Sequence, residues 1–133
     1  MAGWALRMPT NIRNYPLWIA IALVVLYVGA GGIAKLAGVP YVHSSFPKLG
    51  LPAWFGYFIG VCEVLGCIAL FIRPLRALAA LGIAIIMVGA TYYHATYTPV
   101  FQAAPAFVLL ILSVYIFRTS RADPLKSRTA NAR

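Results

Sequence analysis

One carboxylate in this chain is a candidate acid, base or ligand anchor because it lies inside an apolar stretch. The chain has 133 residues and two acidic ones, Glu63 and Asp123. Asp123 belongs to a polar C-terminal segment, whereas Glu63 lies in the middle of the apolar residues 55–70. A group that can carry charge at bilayer depth is costly, and it usually faces a bundle interior, pairs with another polar group or lines a site. Glu63 is therefore interpreted in two ways, as an acid, base or ligand anchor, or as a structural carboxyl that holds helices together.

Lys35 is the candidate charge partner of Glu63. It follows Gly29, Gly31 and Gly32 near the end of the first apolar stretch. At a rise of 1.5 Å per residue, Glu63 lies about 15 Å inward from the start of its predicted helix, so a gap in depth separates it from Lys35. Two hypotheses stay open. Either Lys35 pairs with Glu63 through helix tilt, side-chain reach or a bridging water, or its amine extends to the lipid headgroups.

His94 and several aromatic and amide residues are predicted to lie in the same half of the membrane as this pair. Met87, Ala90 and His94 share one helix face by their spacing of three and four. The predicted catalytic residues are Glu63, His94 and Lys35. The predicted substrate contacts are Tyr92, Tyr93, Gln102, Tyr57 and His43. For the tyrosines near His94 the alternative is an aromatic belt at the membrane interface.

Other kinds of catalytic site lack their residues. The chain has two histidines and two cysteines, with no H-x-x-x-H or E-x-x-H pair, so no metal site is predicted. Cys62 and Cys67 are five residues apart on one predicted helix, which turns their side chains away from each other and disfavours a disulfide. They are interpreted as small packing residues. Neither a phosphate-binding glycine loop nor a G-x-S-x-G motif is present in the sequence.

The elements that position these residues are predicted to be membrane-spanning helices. Hydrophobic residues make up 62% of the chain and charged residues 10%, which leaves too little polar material to cover a soluble domain. Four apolar stretches each approach the roughly 20 residues that a helix needs to cross the hydrocarbon core, namely residues 17–36, 53–72, 75–93 and 100–117. The predicted fold is all-α, an antiparallel bundle of four transmembrane helices. Its predicted organisation is a cytoplasmic lead at 1–16, the transmembrane domain at 17–117 and a basic cytoplasmic tail at 118–133.

Basic residues cluster on one side of this predicted topology. The net charge is +9, and the residues on that side are Arg7, Arg13, Arg73, Arg76, Arg118, Arg121, Lys126, Arg128 and Arg133. By the positive-inside rule both termini are predicted to be cytoplasmic. The basic residues are interpreted as setting the orientation of the protein in the membrane and as contacting anionic lipids. No nucleic-acid partner is predicted.

The second predicted helix has one face of small and polar residues. Gly56, Gly60, Glu63 and Cys67 follow one another at spacings of four, three and four, so they share that face. A G-x-x-x-G pair permits close approach of another helix. Glu63 is thus predicted on the packed face rather than the lipid face. The connection before this helix is expected to fold onto the bundle because it keeps the apolar residues Tyr41, Phe46, Leu49 and Leu51.

Together these motifs resemble the DoxX-like family of small four-helix integral membrane proteins. The resemblance spans roughly residues 17–117, and its motifs are Lys35-Leu36 after small residues, Leu49-Gly50-Leu51-Pro52, Gly60-x-x-Glu63-x-x-Gly66 and His94. It implies an inner-membrane bundle with Lys35, Glu63 and His94 as functional positions. Some relatives in the family are linked to membrane oxidoreductase systems and quinone chemistry. No catalytic mechanism is implied, because the family has no single one.

Two classes of function follow from these interpretations. The first is a membrane oxidoreductase component or proton-transfer enzyme that holds a hydrophobic substrate, with a quinone as the candidate, in an outer-half polar pocket around Glu63. The second is a non-catalytic membrane subunit or scaffold, in which the same polar cluster determines helix packing or docks a partner. Membrane lipids are the predicted contacts, and a homo-oligomer or a membrane complex fits either class. The predicted location is the cell inner membrane.

Overall fold

Helices form nearly all of the described chain. A computed structural model describes residues 10–131, with side-chain environments for residues 14–121. The α-helices are α1 (Thr10–Leu36), α2 (Pro40–His43), α3 (Ser45–Lys48), α4 (Ala53–Ala69), α5 (Arg76–Tyr97) and α6 (Ala103–Asn131). Two short 3-10 turns, Arg73–Leu75 and Val100–Gln102, precede α5 and α6. No strand occurs within residues 10–131, so the predicted all-α class is confirmed.

Several of these helices have the length and composition of membrane spans. Within the described residues, three segments are long and apolar enough to cross a membrane, namely Asn14–Leu36, Arg73–Tyr97 and Val100–Arg121. The remaining predicted stretch contains α4, whose 17 residues lie at the lower end of the length that spans a bilayer. α4 and the preceding segment Pro40–Lys48 form a pair bent by 118°, which adds a fourth span if the pair crosses as one.

Helix ends differ from the predicted ends. α1 begins at Thr10 rather than at residue 17, and Pro16 lies inside the helix. α6 continues to Asn131, past the predicted end at 117. Hydropathy detects the part of a helix that lies in hydrocarbon, whereas backbone hydrogen bonds can continue the helix into the polar interface. The predicted orienting charges outside the residues with described side chains are Arg7, Arg13, Lys126, Arg128 and Arg133.

Each long helix packs against two others. α5 lies against α6 and α1 against α4, and contacts of α1 with α6 and of α4 with α5 join the two pairs. The buried apolar core includes Ile21, Val24, Leu70, Ile83 and Ile116. Outward side chains are also apolar, as with Leu26, which is 74% exposed. Apolar residues on both the inner and outer faces suit contact with lipid acyl chains, as in an integral membrane protein.

α1 and α4 approach each other along the predicted small-residue face of α4. The buried residues of α4 are Gly56, Gly60, Glu63 and Cys67, which confirms that face. A Cβ atom placed at Gly32 of α1 would lie 3.0 Å from the Cβ of Glu63, and one placed at Gly29 would lie 3.8 Å from the Sγ of Cys67. The contacts run in opposite order along the two helices, so α1 and α4 have opposite chain directions.

The connection between α1 and α4 folds back onto the helices. It contains α2 and α3, which sequence patterns did not predict. Phe46 of α3 is buried at 8% exposure, whereas Tyr41 of α2 is 79% exposed. The rings of His43 and Phe46 lie against Gly56, where an added Cβ atom would overlap the imidazole. The expectation that apolar residues draw this connection onto the bundle is confirmed for Phe46 and wrong for Tyr41.

Arg76 has a structural role beyond its predicted contribution to charge orientation. It is buried, and its Nε donates a hydrogen bond of 2.7 Å to the carbonyl oxygen of Leu70, at the end of α4. Its guanidinium also lies 5.1 Å from the centre of the Trp18 ring on α1. The last carbonyl groups of a helix lack intrahelical partners, and a cationic side chain can supply them. Arg76 therefore joins the ends of α1, α4 and α5 on the side opposite Lys35.

Candidate functional site

Lys35 and Glu63 form an ion pair between α1 and α4. The Nζ of Lys35 donates to Oε2 of Glu63 at 2.9 Å and to Oε1 at 3.2 Å. The Glu63 side chain is 3% exposed and that of Lys35 is 16% exposed. Of the two hypotheses for Lys35, the structure agrees with the one in which its amine pairs with Glu63, and not with the one in which the amine extends to the lipid headgroups. A buried charge pair of this kind places a fixed ammonium and a fixed carboxylate within the apolar part of the protein.

Helix register closes the depth gap that the sequence predicted. The start of α4 lies beyond the end of α1, because Gly56 faces His43 and Phe46 of the connection, whereas Gly60 faces Lys35. Helical side chains lean toward the N-terminus of their own helix. In two helices of opposite direction, Lys35 leans inward from the end of α1 and Glu63 leans outward along α4. The two side chains therefore converge without a bridging water.

Two glycines make this approach sterically feasible. A Cβ atom at Gly60 would lie 2.9 Å from the Cβ of Lys35 and 3.0 Å from the carbonyl oxygen of Gly32. One at Gly32 would lie 3.2 Å from the carbonyl oxygen of Gly60. Such distances are shorter than ordinary contacts between carbon and its neighbours, so side chains at either position would push the helices apart. The small residues therefore place the ion pair.

The ion pair opens on a cavity of about 220 Å³ between the helices. The polar side chains that line it are Lys35, Glu63, His94 and Gln102. Its apolar wall includes Val28, Met87, Ala90, Ala106 and Leu109. The cavity thus combines a charged pair, an imidazole and an amide with a surface that is mostly hydrocarbon, which is the usual chemistry of a small-molecule site.

His94 is held at the end of α5 by Thr98. The Nδ1 of His94 lies 3.2 Å from Oγ1 of Thr98, and that hydroxyl donates to the carbonyl oxygen of His94 at 2.8 Å. Within the described residues, the side-chain amide of Gln102 makes no hydrogen bond to another side chain or to the backbone. The imidazole is therefore oriented by the protein, while the Gln102 side chain lines the cavity.

A shallow apolar groove continues from the cavity onto the lipid-facing side of α1. It is open to the outside along its length, has a volume of about 440 Å³ and is lined by Leu26, Tyr27, Ala30 and Gly31. Tyr27 and Gly31 belong to both the groove and the cavity wall. The cavity and the lipid side of α1 are thus adjacent at these two residues.

Comparison with known proteins assigns the family. Residues 19–116, about three quarters of the chain, match the DoxX-like family. This chain belongs to the DoxX-like family. The cavity-lining polar residues of this DoxX-like protein all lie within the matched segment. An uncharacterized protein of Bacillus subtilis (strain 168), YdgD, is 28% identical over 103 residues, which cover 73% of this chain and 90% of the relative. No solved structure matches the chain.

The predicted site residues of the DoxX-like chain fall into two groups. Lys35, Glu63, His94 and Gln102 meet at the cavity. His43 does not line it. Instead, its Nε2 lies 2.8 Å from the carbonyl oxygen of Lys35, where it supports the end of α1. The ring of Tyr57 lies against that of His43, with 4.5 Å between their centres.

The two predicted tyrosines of α5 also lie outside the cavity wall. Tyr92 is 59% exposed on the outer surface of the helix. Tyr93 is 9% exposed; its ring stacks on Tyr97 at 5.5 Å and meets His94 edge-on at 5.2 Å. Tyr93 therefore supports the imidazole from behind, whereas Tyr92 and Tyr97 have the exposure of an interfacial aromatic belt.

Several contributors to the cavity were missed by sequence reasoning. Val42 lines the cavity from α2, and Tyr27 and Pro105 line it from α1 and the start of α6. No sequence pattern points to Val42, because its position depends on how the connection folds back. Thr98 was also missed, although its spacing of four from His94 is a usable signal for contact on a helix. Within the described residues, no group of three or more histidine, cysteine or acidic side chains could hold a metal ion.

Proposed function

We propose that this DoxX-like protein binds a small hydrophobic molecule with a polar head in the cavity around Glu63, and that a quinone is the leading candidate. The observation that carries the proposal is the meeting of an ion pair, His94 and Gln102 on one mostly apolar cavity. The head of the ligand would face these polar groups, and its apolar part would face Met87 and Leu109. Sites for small molecules commonly have this division between a few convergent polar groups and a hydrocarbon wall.

The size of the cavity supports a ligand whose head is a single ring. An engineered cavity of about 150 Å³ in another protein accepts benzene, and the cavity here has about 220 Å³. A long apolar tail does not fit in the remaining space. The adjoining groove at Leu26 and Ala30 offers a path for such a tail toward lipid. The ligand would then enter laterally from the bilayer, as a lipid-soluble molecule would.

The polar groups suggest how the protein would take part in quinone chemistry. Reduction of a quinone to a quinol takes two electrons and two protons. Glu63 would be the proton-transfer group: its carboxylate would take up a proton from water and pass it to a quinone oxygen, once for each of the two protons. Lys35 would be its charge partner, since the ammonium can donate to a ligand oxygen while it stabilises the carboxylate. The electrons would come from a separate membrane oxidoreductase subunit, which makes this chain a component of a complex.

A non-catalytic subunit is the second candidate function, and the glycine-lined contact favours it. The pair Lys35–Glu63 lies where α1 and α4 are closest, next to Gly32 and Gly60. A buried ion pair can specify how two helices align, because other alignments leave both charges unpaired. In this role the cluster would determine the packing of a membrane scaffold, and the cavity would be a packing defect.

We also propose an antiparallel bundle of four crossings in the inner membrane, with both termini in the cytoplasm. The bent pair that contains α4 would be the second crossing. The basic residues 73, 76, 118 and 121 lie at the end of the helices that would face the cytoplasm. At the other end Lys48 is exposed, and Lys35 is paired with Glu63. This asymmetry is the one expected from the positive-inside rule.

A cysteine-labelling experiment tests this topology. Tyr41→Cys should be labelled in intact cells by a maleimide that cannot cross membranes, because Tyr41 is exposed on the connection between α1 and α4. Arg73→Cys, exposed in the turn before α5, should be labelled only after the membrane is permeabilised. The unsubstituted protein gives the background from Cys62 and Cys67. Labelling of Arg73→Cys but not Tyr41→Cys in intact cells would reverse the orientation.

A matched pair of alanine substitutions tests the proposed ligand site. Ala106 lines the cavity and Ala104 is exposed on the same helix. Ala106→Leu should weaken binding of decylubiquinone by about tenfold or more, because the larger side chain fills the cavity, whereas Ala104→Leu should leave binding unchanged. Calorimetric titration of the detergent-solubilised protein measures both. Equal binding by the two variants, or no binding by the unsubstituted protein, would contradict the quinone site.

A further inference from the structure

We infer that Thr98 holds the neutral His94 ring with its proton on Nδ1, so that Nε2 is a hydrogen-bond acceptor and the cavity selects a ligand that offers a hydroxyl group. The part of this inference that concerns the ligand rests on the proposed function. The part that concerns the tautomer rests on hydrogen-bond geometry and applies to the uncharged ring. Thr98 is thereby a positioning residue for His94.

The hydroxyl group of Thr98 has its own proton committed to carbonyl oxygens. Its Oγ1 donates to the carbonyl oxygen of His94 at 2.8 Å, and the carbonyl oxygen of Pro99 is a second acceptor at 3.5 Å. A hydroxyl group has one proton to donate but also two lone pairs that accept. The contact of 3.2 Å between Oγ1 and the Nδ1 of His94 is therefore a hydrogen bond in which Nδ1 donates.

The backbone keeps Thr98 in this position. Its own N–H donates to the carbonyl oxygen of His94 at 3.3 Å, so hydroxyl and amide both bond to the same oxygen. Thr98 directly follows the last residue of α5, where helix carbonyls lack intrahelical donors. The hydroxyl would leave a helix-end carbonyl with one donor fewer if it rotated to face the imidazole. The end of the helix thus determines the direction of the hydroxyl proton.

The other nitrogen of His94 is left as an acceptor. A neutral imidazole carries one N–H, so a proton on Nδ1 leaves a lone pair on Nε2. His94 lines the cavity, and within the described residues its ring has no hydrogen-bond partner besides Thr98. The edge-on contact with the Tyr93 ring limits rotation of the imidazole. Nε2 is consequently available to a donor on a bound molecule.

The complete set of polar groups then distinguishes a hydroxyl from a carbonyl. Lys35 has only donors, and two of its contacts go to Glu63. The Gln102 amide has both donors and acceptors, and so serves either ligand. Nε2 of His94 bonds a hydroxyl group but repels the lone pairs of a carbonyl oxygen. A phenol, alcohol or quinol is therefore expected to bind more tightly than the corresponding ketone or quinone.

Nitrogen NMR of the histidine rings tests the tautomer without any ligand. In the unsubstituted protein, labelled with ¹⁵N-histidine in detergent micelles, His94 should show a protonated Nδ1 and an unprotonated Nε2. The His43→Gln variant assigns the signals, since the chain has two histidines. Thr98→Ser should keep the tautomer, whereas Thr98→Val should shift the ring toward the form protonated on Nε2. A ring protonated on Nε2 in the unsubstituted protein, or no shift in Thr98→Val, would overturn the inference.

Paired titrations with decylubiquinol and decylubiquinone test the selectivity. The quinol should bind about five- to tenfold more tightly to the unsubstituted protein, as expected for one added neutral hydrogen bond, and Thr98→Val should lose this ratio. Equal binding of the two forms by the unsubstituted protein would overturn the selectivity. Binding of neither form, with the tautomer as inferred, would contradict the proposed quinone site and not the tautomer.

Discussion

Lys35→Met is expected to destabilise the folded protein by about 3–5 kcal/mol, the range for removing one partner of a buried ion pair. The substitution leaves the Glu63 carboxyl, with 3% of its side chain exposed, without the ammonium that donates to both of its oxygens. The measurement is the midpoint of unfolding when detergent-solubilised protein is titrated with SDS. Lys48→Met is the matched control, because Lys48 is exposed on α3 and should tolerate the same change within about 0.5 kcal/mol.

Companion variants separate the loss of the pair from the loss of either side chain. Glu63→Gln should be milder than Lys35→Met, because the amide oxygen can still accept from the ammonium. The double variant Lys35→Met with Glu63→Leu should recover much of the stability, since no unpaired charge remains. Equal losses in the double variant and in Lys35→Met would contradict the view that an unpaired carboxyl is the cause.

The same Glu63→Gln variant also discriminates between the two proposed functions. In a ligand site whose carboxylate takes part in binding, it should weaken binding of the quinone probe, with a loss of stability smaller than that of Lys35→Met. In a structural subunit it should lower stability and leave any binding unchanged. The second result, in which stability falls and binding does not, would remove Glu63 from the proposed pocket chemistry.

Gly60→Ala is expected to destabilise the protein by about 1–3 kcal/mol through overpacking, and Gly60→Leu by more. A Cβ atom at this position would meet the Cβ of Lys35 at 2.9 Å and the backbone oxygen of Gly32 at 3.0 Å, and backbone cannot move aside as a flexible side chain can. Separation of α1 from α4 would also lengthen the contact between Lys35 and Glu63. SDS titration measures the stability.

Gly82→Ala is the matched control for the close contact at Gly60. Gly82 lies in α5, and an added Cβ atom there would have no neighbour within 4 Å. The alanine should therefore stabilise the helix by about 0.5–1 kcal/mol through the lower conformational entropy of the unfolded chain. A loss of stability at Gly82 as large as that at Gly60 would show that the glycine effects come from the helices themselves and not from their contact.

Local patterns predicted the helices and their faces well. The face of α4 was predicted from spacings of three and four, and its four residues are the buried residues of that helix. Met87, Ala90 and His94, predicted to share a face, all line the cavity. Such predictions succeed because the period of a helix is a property of the local backbone and does not depend on the rest of the fold.

Whether a given side chain faces the protein or the outside was predicted less well, both in the connection before α4 and near the end of α5. Tyr41 was expected to lie against the bundle and is exposed, whereas Phe46 is buried. Tyr92 and Tyr93 are adjacent in sequence, yet the helix places one on the outer surface and the other beneath His94. Apolar character does not distinguish a residue that faces protein from one that faces lipid, since both environments are hydrocarbon. That choice depends on which neighbours are present.

The sequence by itself determined the membrane character, the all-α class, the packed face of α4 and the presence of a carboxyl within it, because hydropathy and helical period are local properties. Only the tertiary structure decided that Lys35 pairs with Glu63 and that His94 and Gln102 meet them at one cavity. That outcome depends on the axial register of α1 against α4. The register is set by the contact of Gly32 with Gly60 and by the folding of α2 and α3 beside the start of α4. These contacts join residues far apart in the chain, so no local pattern contains them.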